Sequence, residues 1–171
     1  QVNFTEGNLV AGSGWNNTSG HPQQGDSYSN FTDTNGNPTS IGLTIDSPWN
    51  ANGSNTLGAN TGSNSGIYPD NVLRSSYWTN TGVRTIVING LDNSQQYNLT
   101  FLGSRAANDD RNTTYRVGGQ AVTLNAAGNT SNTVTISDIS PESNSITFTI
   151  EKAGGSAFGY FVVFPPAFKF L

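Results

Sequence analysis

The sequence contains no cysteine, so neither disulfide bonds nor thiolate metal sites can form. Charged side chains are also scarce: Lys, Arg, Asp and Glu make up 11% of the 171 residues, and the formal net charge is −4. Binding of nucleic-acid phosphates needs clustered Lys and Arg, so we expect no nucleic-acid partner. No apolar run approaches the roughly 20 residues of a membrane-spanning helix, and we therefore expect no membrane span.

Sequence patterns of catalysis are equally scarce. His21 is the only histidine, and a Ser-His-Asp triad would have to use it without any Gly-x-Ser-x-Gly elbow. A glycosidase needs two facing carboxylates, and no sequence feature pairs Asp109 with another aspartate. We therefore predict that the protein is not an enzyme and that it has no catalytic residues.

The composition is instead dominated by Asn, Ser, Thr and Gly, together with nine Phe, six Tyr and three Trp. Disordered chains combine high charge with few aromatics, so this chain is expected to fold. Its surface must be polar through amides and hydroxyls, which suits hydrogen bonding to neutral polyols. The chain opens on Gln1 without a signal peptide, and we interpret it as a mature or excised piece.

Short segments with an apolar residue at every second position predict β-strands, and no long segment has the helical period of 3.6. Residues 71–78 are the only candidate for a helical turn. About nine strands, with turn signals every 8 to 12 residues, predict an all-β sandwich or barrel that forms a single domain over residues 1–171. Its inner faces are predicted to hold Ile41, Leu43, Ile45, Tyr97, Leu99, Phe101, Ile146, Phe148 and Ile150.

Two motifs in the middle of the chain carry a resemblance to a known family. Gly90-Leu91 and a short polar turn precede Tyr97-x-Leu-x-Phe-x-Gly-Ser-Arg105, and the run Arg111-Asn-Thr-Thr-Tyr-Arg-Val-Gly118 follows. This pattern, over roughly residues 83–164, resembles the jelly-roll sandwiches of galactose-binding-domain-like proteins. Malectin-like domains and carbohydrate-binding modules of secreted bacterial enzymes and adhesins belong to this group. The resemblance implies a jelly-roll β-sandwich, a lectin-like sugar-binding function and a secreted or cell-surface location.

The resemblance also bears on metals, because modules of this kind often carry a structural calcium ion. The run Asp33-Thr-Asn-Gly-Asn37 has alternating oxygen ligands like the start of a calcium loop. It lacks the downstream acid of an EF-hand. No cofactor is required on this interpretation, structural calcium is an expectation from the resemblance, and its ligands stay unassigned.

Four aromatic residues lie in polar, glycine-rich segments rather than in alternating strands. A sugar ring presents a face of C–H groups that stacks on an aromatic ring, so exposed aromatics in loops are candidate sugar contacts. The alternative is that each ring packs its loop onto the core. The candidates are Trp15, Trp49, Tyr68 and Trp78.

A charged loop follows the strand that ends near Ser104. Arg105, Asp109, Asp110 and Arg111 combine guanidinium and carboxylate groups, which can each make paired contacts to neighbouring hydroxyls. The alternative is an internal ion-pair network that fixes the loop. We expect this loop and the aromatic residues to converge at one end of the sandwich.

Together these features predict a non-catalytic carbohydrate-binding module that binds neutral polysaccharide or oligosaccharide. We expect it to be tethered to a catalytic or surface domain of a secreted bacterial protein. The main alternative is an adhesive or structural β-sandwich that packs on a catalytic domain or binds a protein partner. The sequence does not identify the sugar.

Overall fold

Short β-strands provide nearly all the regular structure in the computed structural model, which describes residues 1–51, 58–64, 68–161, 163–164 and 166–167. One short helix occurs in these ranges, α1 (Asp70–Arg74). The strands are β1 (Val2–Asn3), β2 (Asn16–Asn17), β3 (Ser27–Tyr28), β4 (Gly42–Ile45), β5 (Asn50–Ala51), β6 (Tyr77–Thr79), β7 (Arg84–Asn89), β8 (Tyr97–Phe101), β9 (Asn112–Val117), β10 (Gln120–Asn125), β11 (Val134–Ile139), β12 (Ser145–Lys152), β13 (Gly159–Phe161), β14 (Val163–Phe164) and β15 (Pro166–Ala167).

A six-stranded antiparallel sheet forms one layer, in the order β10-β9-β12-β7-β4-β3. Its longer strands alternate between apolar and polar residues, so one face is buried and the other faces solvent. Ile86 and Ile88 of β7 and Phe148 of β12 lie on the buried face. Gly118 and Gly119 form the tight turn between β9 and β10, as the Gly-Gly pair predicts.

Three smaller sheets form the opposing layer, in the orders β11-β8-β15, β14-β1-β2 and β13-β6-β5. Their pairs are antiparallel except β1 with β2, which is parallel. The C-terminal segment pairs successively with all three sheets, through β13, β14 and β15.

Aromatic side chains join the two layers in the core. The Phe101 ring of β8 stacks on the Tyr115 ring of β9, with centroids 4.5 Å apart and planes 9° apart. Phe161 lies 5.7 Å from Phe148 and 4.3 Å from Phe4. Eight of the nine predicted inner-face residues are buried, and the ninth, Ile41, is partly buried against the same core. The predicted all-β sandwich is therefore confirmed.

The structure differs from the expected strand pattern in number and length. The described residues contain fifteen strands rather than about nine, and six of them have only two residues. A strand of two residues is too short to show a period of two. The predicted helical turn is also shorter than expected, because α1 ends at Arg74 and Tyr77 begins β6. In the described part of the chain, no helix is long and apolar enough to cross a membrane.

Candidate functional site

Three aromatic rings lie together where β6 pairs with β13. Trp78 is directly opposite Tyr160 in this antiparallel pair. Their neighbours Tyr77 and Phe161 point into the core and are completely buried, so Trp78 and Tyr160 share the outer face. Phe158, just before β13, packs edge-on against Trp78 with centroids 5.2 Å apart. The rings of Trp78 and Phe158 are partly exposed.

Two arginines lie over the rings of Tyr160 and Phe158. Arg105 Cζ lies 5.6 Å from the centroid of the Tyr160 ring, and Arg111 Cζ lies 4.9 Å from the centroid of the Phe158 ring. Both distances allow a cation–π attraction. Arg111 Nε also donates to Asp109 Oδ1 at 2.9 Å. We call this group the arginine–aromatic cluster; its members are Trp78, Arg105, Asp109, Arg111, Phe158 and Tyr160.

The backbone of both arginines is held by the end of β10 and the segment that follows it. Arg105 N donates to Ala126 O at 2.7 Å, and Gly128 N donates to Arg105 O at 2.7 Å. Arg111 N donates to the Asn125 side-chain oxygen at 3.0 Å. These bonds fix the backbone of each arginine. The two side chains therefore extend toward the rings from defined backbone positions.

A buried asparagine supports the start of the arginine loop. Asn129 is 4% exposed, and its amide nitrogen donates to the carbonyl oxygens of Gly103 and Asn132, at 2.8 Å each. Ser104 Oγ donates to Asn129 O at 2.6 Å and accepts from Ala59 N at 3.1 Å. These bonds fix the chain where it leaves β8 and enters the loop.

The cluster contains hydrogen-bond donors that no described residue satisfies. Trp78 Nε1, Arg105 Nε, Arg105 Nη1 and Arg111 Nη1 are buried, and none has a hydrogen-bond partner among the described residues. Burial raises the pKa of Tyr160, and the charges of Arg105 and Arg111 oppose this effect. The Tyr160 hydroxyl therefore stays protonated at neutral pH, and the cluster offers mainly donors.

Four of the predicted site residues lie in or beside this cluster as one group: Trp78, Arg105, Asp109 and Arg111. Asp110 belongs to the same loop, but its carboxylate accepts from Asn125 Nδ2 at 3.2 Å. Asp109 is open to solvent, with 59% of its side chain exposed. The structure thus brings the charged loop and one predicted tryptophan together.

Trp49 does not join this group, which corrects its prediction as a surface ring. It is 2% exposed and belongs to the main core, with its ring 5.9 Å from Tyr77 and 6.2 Å from Phe161. A sugar can stack only on an exposed ring face, and Trp49 has none. The alternative interpretation, in which the ring packs its segment onto the core, describes it.

Trp15 and Tyr68 form a second pair, with ring centroids 5.9 Å apart and planes 78° apart. Both are partly buried against a smaller core cluster that includes Leu73 and Leu102. Burial raises the pKa of Tyr68. The pair therefore anchors the early loops and α1, and its members contact each other rather than the rings of the arginine–aromatic cluster.

Phe158 and Tyr160 are the cluster members that the sequence interpretation did not select. They lie in the apolar run 157–164, where a strand can be buried on both faces. A signal was present, because Phe158 and Tyr160 alternate with Gly159 and Phe161. Their pairing with Trp78 depends on which strand β13 joins, and local sequence does not specify that.

In the candidate calcium segment, the Asp33 carboxylate accepts hydrogen bonds from residues of the same segment. Asp33 Oδ1 accepts from the backbone N of Asn35 and of Asn37, at 2.8 Å each, and Oδ2 accepts from Asn37 Nδ2 at 3.0 Å. These bonds lower the pKa of Asp33. Among the described residues, no three His, Asp or Glu side chains lie close enough together to hold a metal ion. Structural calcium stays a prediction.

Two other polar features lie outside the cluster. His21 Nδ1 is 2.6 Å from Glu6 Oε1 at the surface. A surface depression is lined by Asn93, Ser94, Gln95, Gln96 and Ser140. It lies before the start of β8, whereas the Arg105 loop follows the end of that strand. The depression has no aromatic lining residue.

No protein-family model matches this chain. No curated protein matches it either. Among solved structures, it is similar to CpGH89CBM32-5 from Clostridium perfringens, in complex with GalNAc-β-1,3-galactose. The identity is 12% and the TM-score 0.34, over 73% of this chain and 95% of the other. At that level of likeness, a function has to be inferred from this chain's own side chains.

Proposed function

We propose that the protein binds carbohydrate without catalysis, and that the arginine–aromatic cluster is the binding site. One observation carries the proposal: the partly exposed residues Trp78 and Phe158 lie beside arginine donors that have no partner among the described residues. A sugar needs this combination, because its C–H face stacks on a ring while its hydroxyls need hydrogen bonds at the rim.

The charged members of the cluster supply both kinds of hydrogen-bonding group. Arg105 and Arg111 donate, and the exposed Asp109 carboxylate accepts. The Arg111–Asp109 bond holds these two side chains in register, so neighbouring hydroxyls of one sugar can contact both. Each such contact replaces bonds to water at a small net gain, and we therefore expect modest affinity.

We also propose that the chain serves as a module of a secreted or cell-surface bacterial protein, tethered to a catalytic or surface domain. The support is the resemblance of the motifs in residues 83–164 to carbohydrate-binding modules. The arginine–aromatic cluster includes Arg105 and Arg111 from those motifs.

The proposal is tested by removing one ring of the cluster. We expect Trp78→Ala to weaken binding to the best ligand on a glycan array by about tenfold or more, measured by isothermal titration calorimetry. Trp15→Ala is the matched control, because Trp15 is also partly buried and edge-packed but lies outside the cluster. Thermal unfolding of both variants shows whether each remains folded.

Retention of full affinity by folded Trp78→Ala contradicts the placement of the site, as does a loss caused by Trp15→Ala alone. Binding to a protein ligand but to no glycan on the array would favour the adhesive alternative. Release of reducing sugar by the purified chain would contradict a purely binding role.

A further inference from the structure

We propose that the sugar bound at the arginine–aromatic cluster carries a negative charge, as a carboxylate or a sulfate group. The inference rests on the proposed function, since it names the class of sugar for the same site. It departs from the neutral ligand that the amide-rich composition predicts.

Arg105 is the residue that points to an anion. Arg111 has Asp109 as a carboxylate partner at 2.9 Å, and Arg116 on the outer sheet face has Glu151 at 3.0 Å. Arg105 has no carboxylate partner among the described residues, and its Nε and Nη1 are buried without hydrogen bonds there. Arg105 as a whole is partly exposed, and its two buried nitrogens lack an acceptor in the described part of the chain. Buried donors without acceptors are costly, and an anionic ligand that reaches the guanidinium would reduce that cost.

The geometry around Arg105 suits a planar or oxygen-rich anion. Its guanidinium lies over the Tyr160 ring, and its backbone is tied on both sides to Ala126 and Gly128. A fixed guanidinium presents parallel N–H donors that match two oxygens of one carboxylate or sulfate. Little side-chain entropy is lost on binding, because stacking already restricts the group.

The two aspartates of the loop make contacts with residues other than Arg105. Asp109 is paired with Arg111, and Asp110 accepts from Asn125. Within the described residues, Asp109 therefore pairs with Arg111 alone, and neither aspartate is ion-paired with Arg105. The whole chain has a net charge of −4, so an anion bound here would be held by Arg105 itself rather than by a generally basic surface.

The stacking rings and Arg105 are close enough to act on one sugar unit. Phe158, which contacts Trp78, lies 6.2 Å from Tyr160, the ring under Arg105. A sugar stacked on Trp78, with Phe158 edge-on beside it, can therefore direct a ring substituent toward Arg105. A neutral hydroxymethyl group at that position would leave the guanidinium charge unpaired, whereas an acidic substituent would not.

The test compares three oligosaccharides of related stereochemistry: oligogalacturonate, a sulfated galactan fragment and an unsubstituted galactan fragment. We expect the 171-residue chain to bind at least one of the two acidic ligands about tenfold or more tightly than the neutral one. We expect added salt to weaken only the acidic interaction. Lowering the pH distinguishes a ligand carboxylate from a ligand sulfate, because a sugar carboxylate is protonated in mild acid whereas a sulfate ester stays charged.

Three variants separate charge at the site from charge elsewhere. We expect Arg105→Gln to abolish the preference for the acidic ligand, and Arg105→Lys to keep part of it as a point charge without the paired donors. Arg116→Gln removes the same charge from the far side of the six-stranded sheet and should keep the preference. Thermal unfolding of each variant shows whether it is still folded.

Two outcomes overturn the inference alone: equal binding of neutral and acidic fragments by the wild type, or an acidic preference that survives Arg105→Gln. Binding of none of these fragments, and of no glycan on a broader array, overturns the proposed function itself. The inference and the proposed function therefore fail in different ways.

Discussion

Phe148 is completely buried, whereas its neighbour in β12, Thr147, is exposed. The Phe148 ring lies 5.5 Å from Phe101 and 5.7 Å from Phe161, and so contacts side chains of the opposing layer. Adjacent positions of one strand thus have different energetic roles, because successive side chains point to opposite faces.

This contrast gives a prediction for unfolding in urea. Phe148→Ala should lower the free energy of unfolding by about 3–5 kcal/mol, since it removes a large buried ring and leaves a cavity. Thr147→Ala, one residue away, should change it by no more than about 0.5 kcal/mol. Equal effects of the two substitutions would mean that the faces of β12 are assigned incorrectly.

At the residue scale, the sequence predicts core positions better than it predicts surface ones. Leu99, Phe101 and Phe148 alternate with polar residues along their strands, so the sequence predicts that they are buried. Trp49 and Trp78 both lie among polar neighbours, yet one is in the core and the other is partly exposed. Their difference depends on which strand each segment joins, and this is a long-range property.

Among the elements, the connection between β8 and the arginine loop depends on a close approach at Gly103. A Cβ atom at this position would lie 2.9 Å from Tyr160 O and 3.1 Å from the Tyr115 hydroxyl. The Tyr115 hydroxyl donates to Tyr160 O at 2.7 Å. Gly103 therefore lets the end of β8 pass next to β13, which carries one ring of the candidate site.

We expect Gly103→Ala to lower the free energy of unfolding by about 1–3 kcal/mol, because the added methyl group overpacks this contact. It should also weaken sugar binding, since Tyr160 must shift under Arg105. Gly119→Ala is the control, because a Cβ atom there meets nothing within 4 Å. Its stability should be unchanged or raised by up to about 1 kcal/mol. Unchanged stability and binding in Gly103→Ala would contradict the close approach.

The length of a strand determines whether the sequence predicts it. β7, β8, β9 and β12 are long enough for a period of two to appear, and six of the predicted inner-face residues lie in β8 and β12. β6 has three residues, and its segment was interpreted as part of a helical turn. β6 carries Trp78, so the geometry of the candidate site depends on a strand that the sequence did not predict.

For the whole molecule, two buried tyrosines make the free energy of unfolding depend on pH. Tyr77 donates to Thr18 Oγ1 at 2.9 Å, and Tyr115 stacks on Phe101. Burial raises the pKa of both hydroxyls above their usual value. Between the pKa of the unfolded chain, about 10, and the higher folded value, only the unfolded state releases the proton. Their contribution to stability is therefore complete below pH 10 and is lost as the pH rises.

Urea unfolding at a series of pH values checks this expectation. Stability should fall above about pH 10, by about 1.4 kcal/mol per pH unit for each tyrosine. Tyr115→Phe cannot ionise at this position, so it should be less stable at pH 7 but show a shallower alkaline decline. An alkaline decline equal to that of the wild type would indicate that Tyr115 does not titrate in this way.

The C-terminal segment of the described chain joins all three small sheets, and a ribosome makes that segment after every strand with which it pairs. β13 completes the sheet of Trp78, β14 pairs Phe164 with Val2, and β15 pairs with β8. Until residues 159–167 leave the exit tunnel, each small sheet lacks a strand, and one layer of the sandwich is incomplete. Contacts between such distant positions form slowly. The nascent chain therefore stays open during its synthesis, and a force-sensitive arrest peptide should report folding only after residue 167 has emerged.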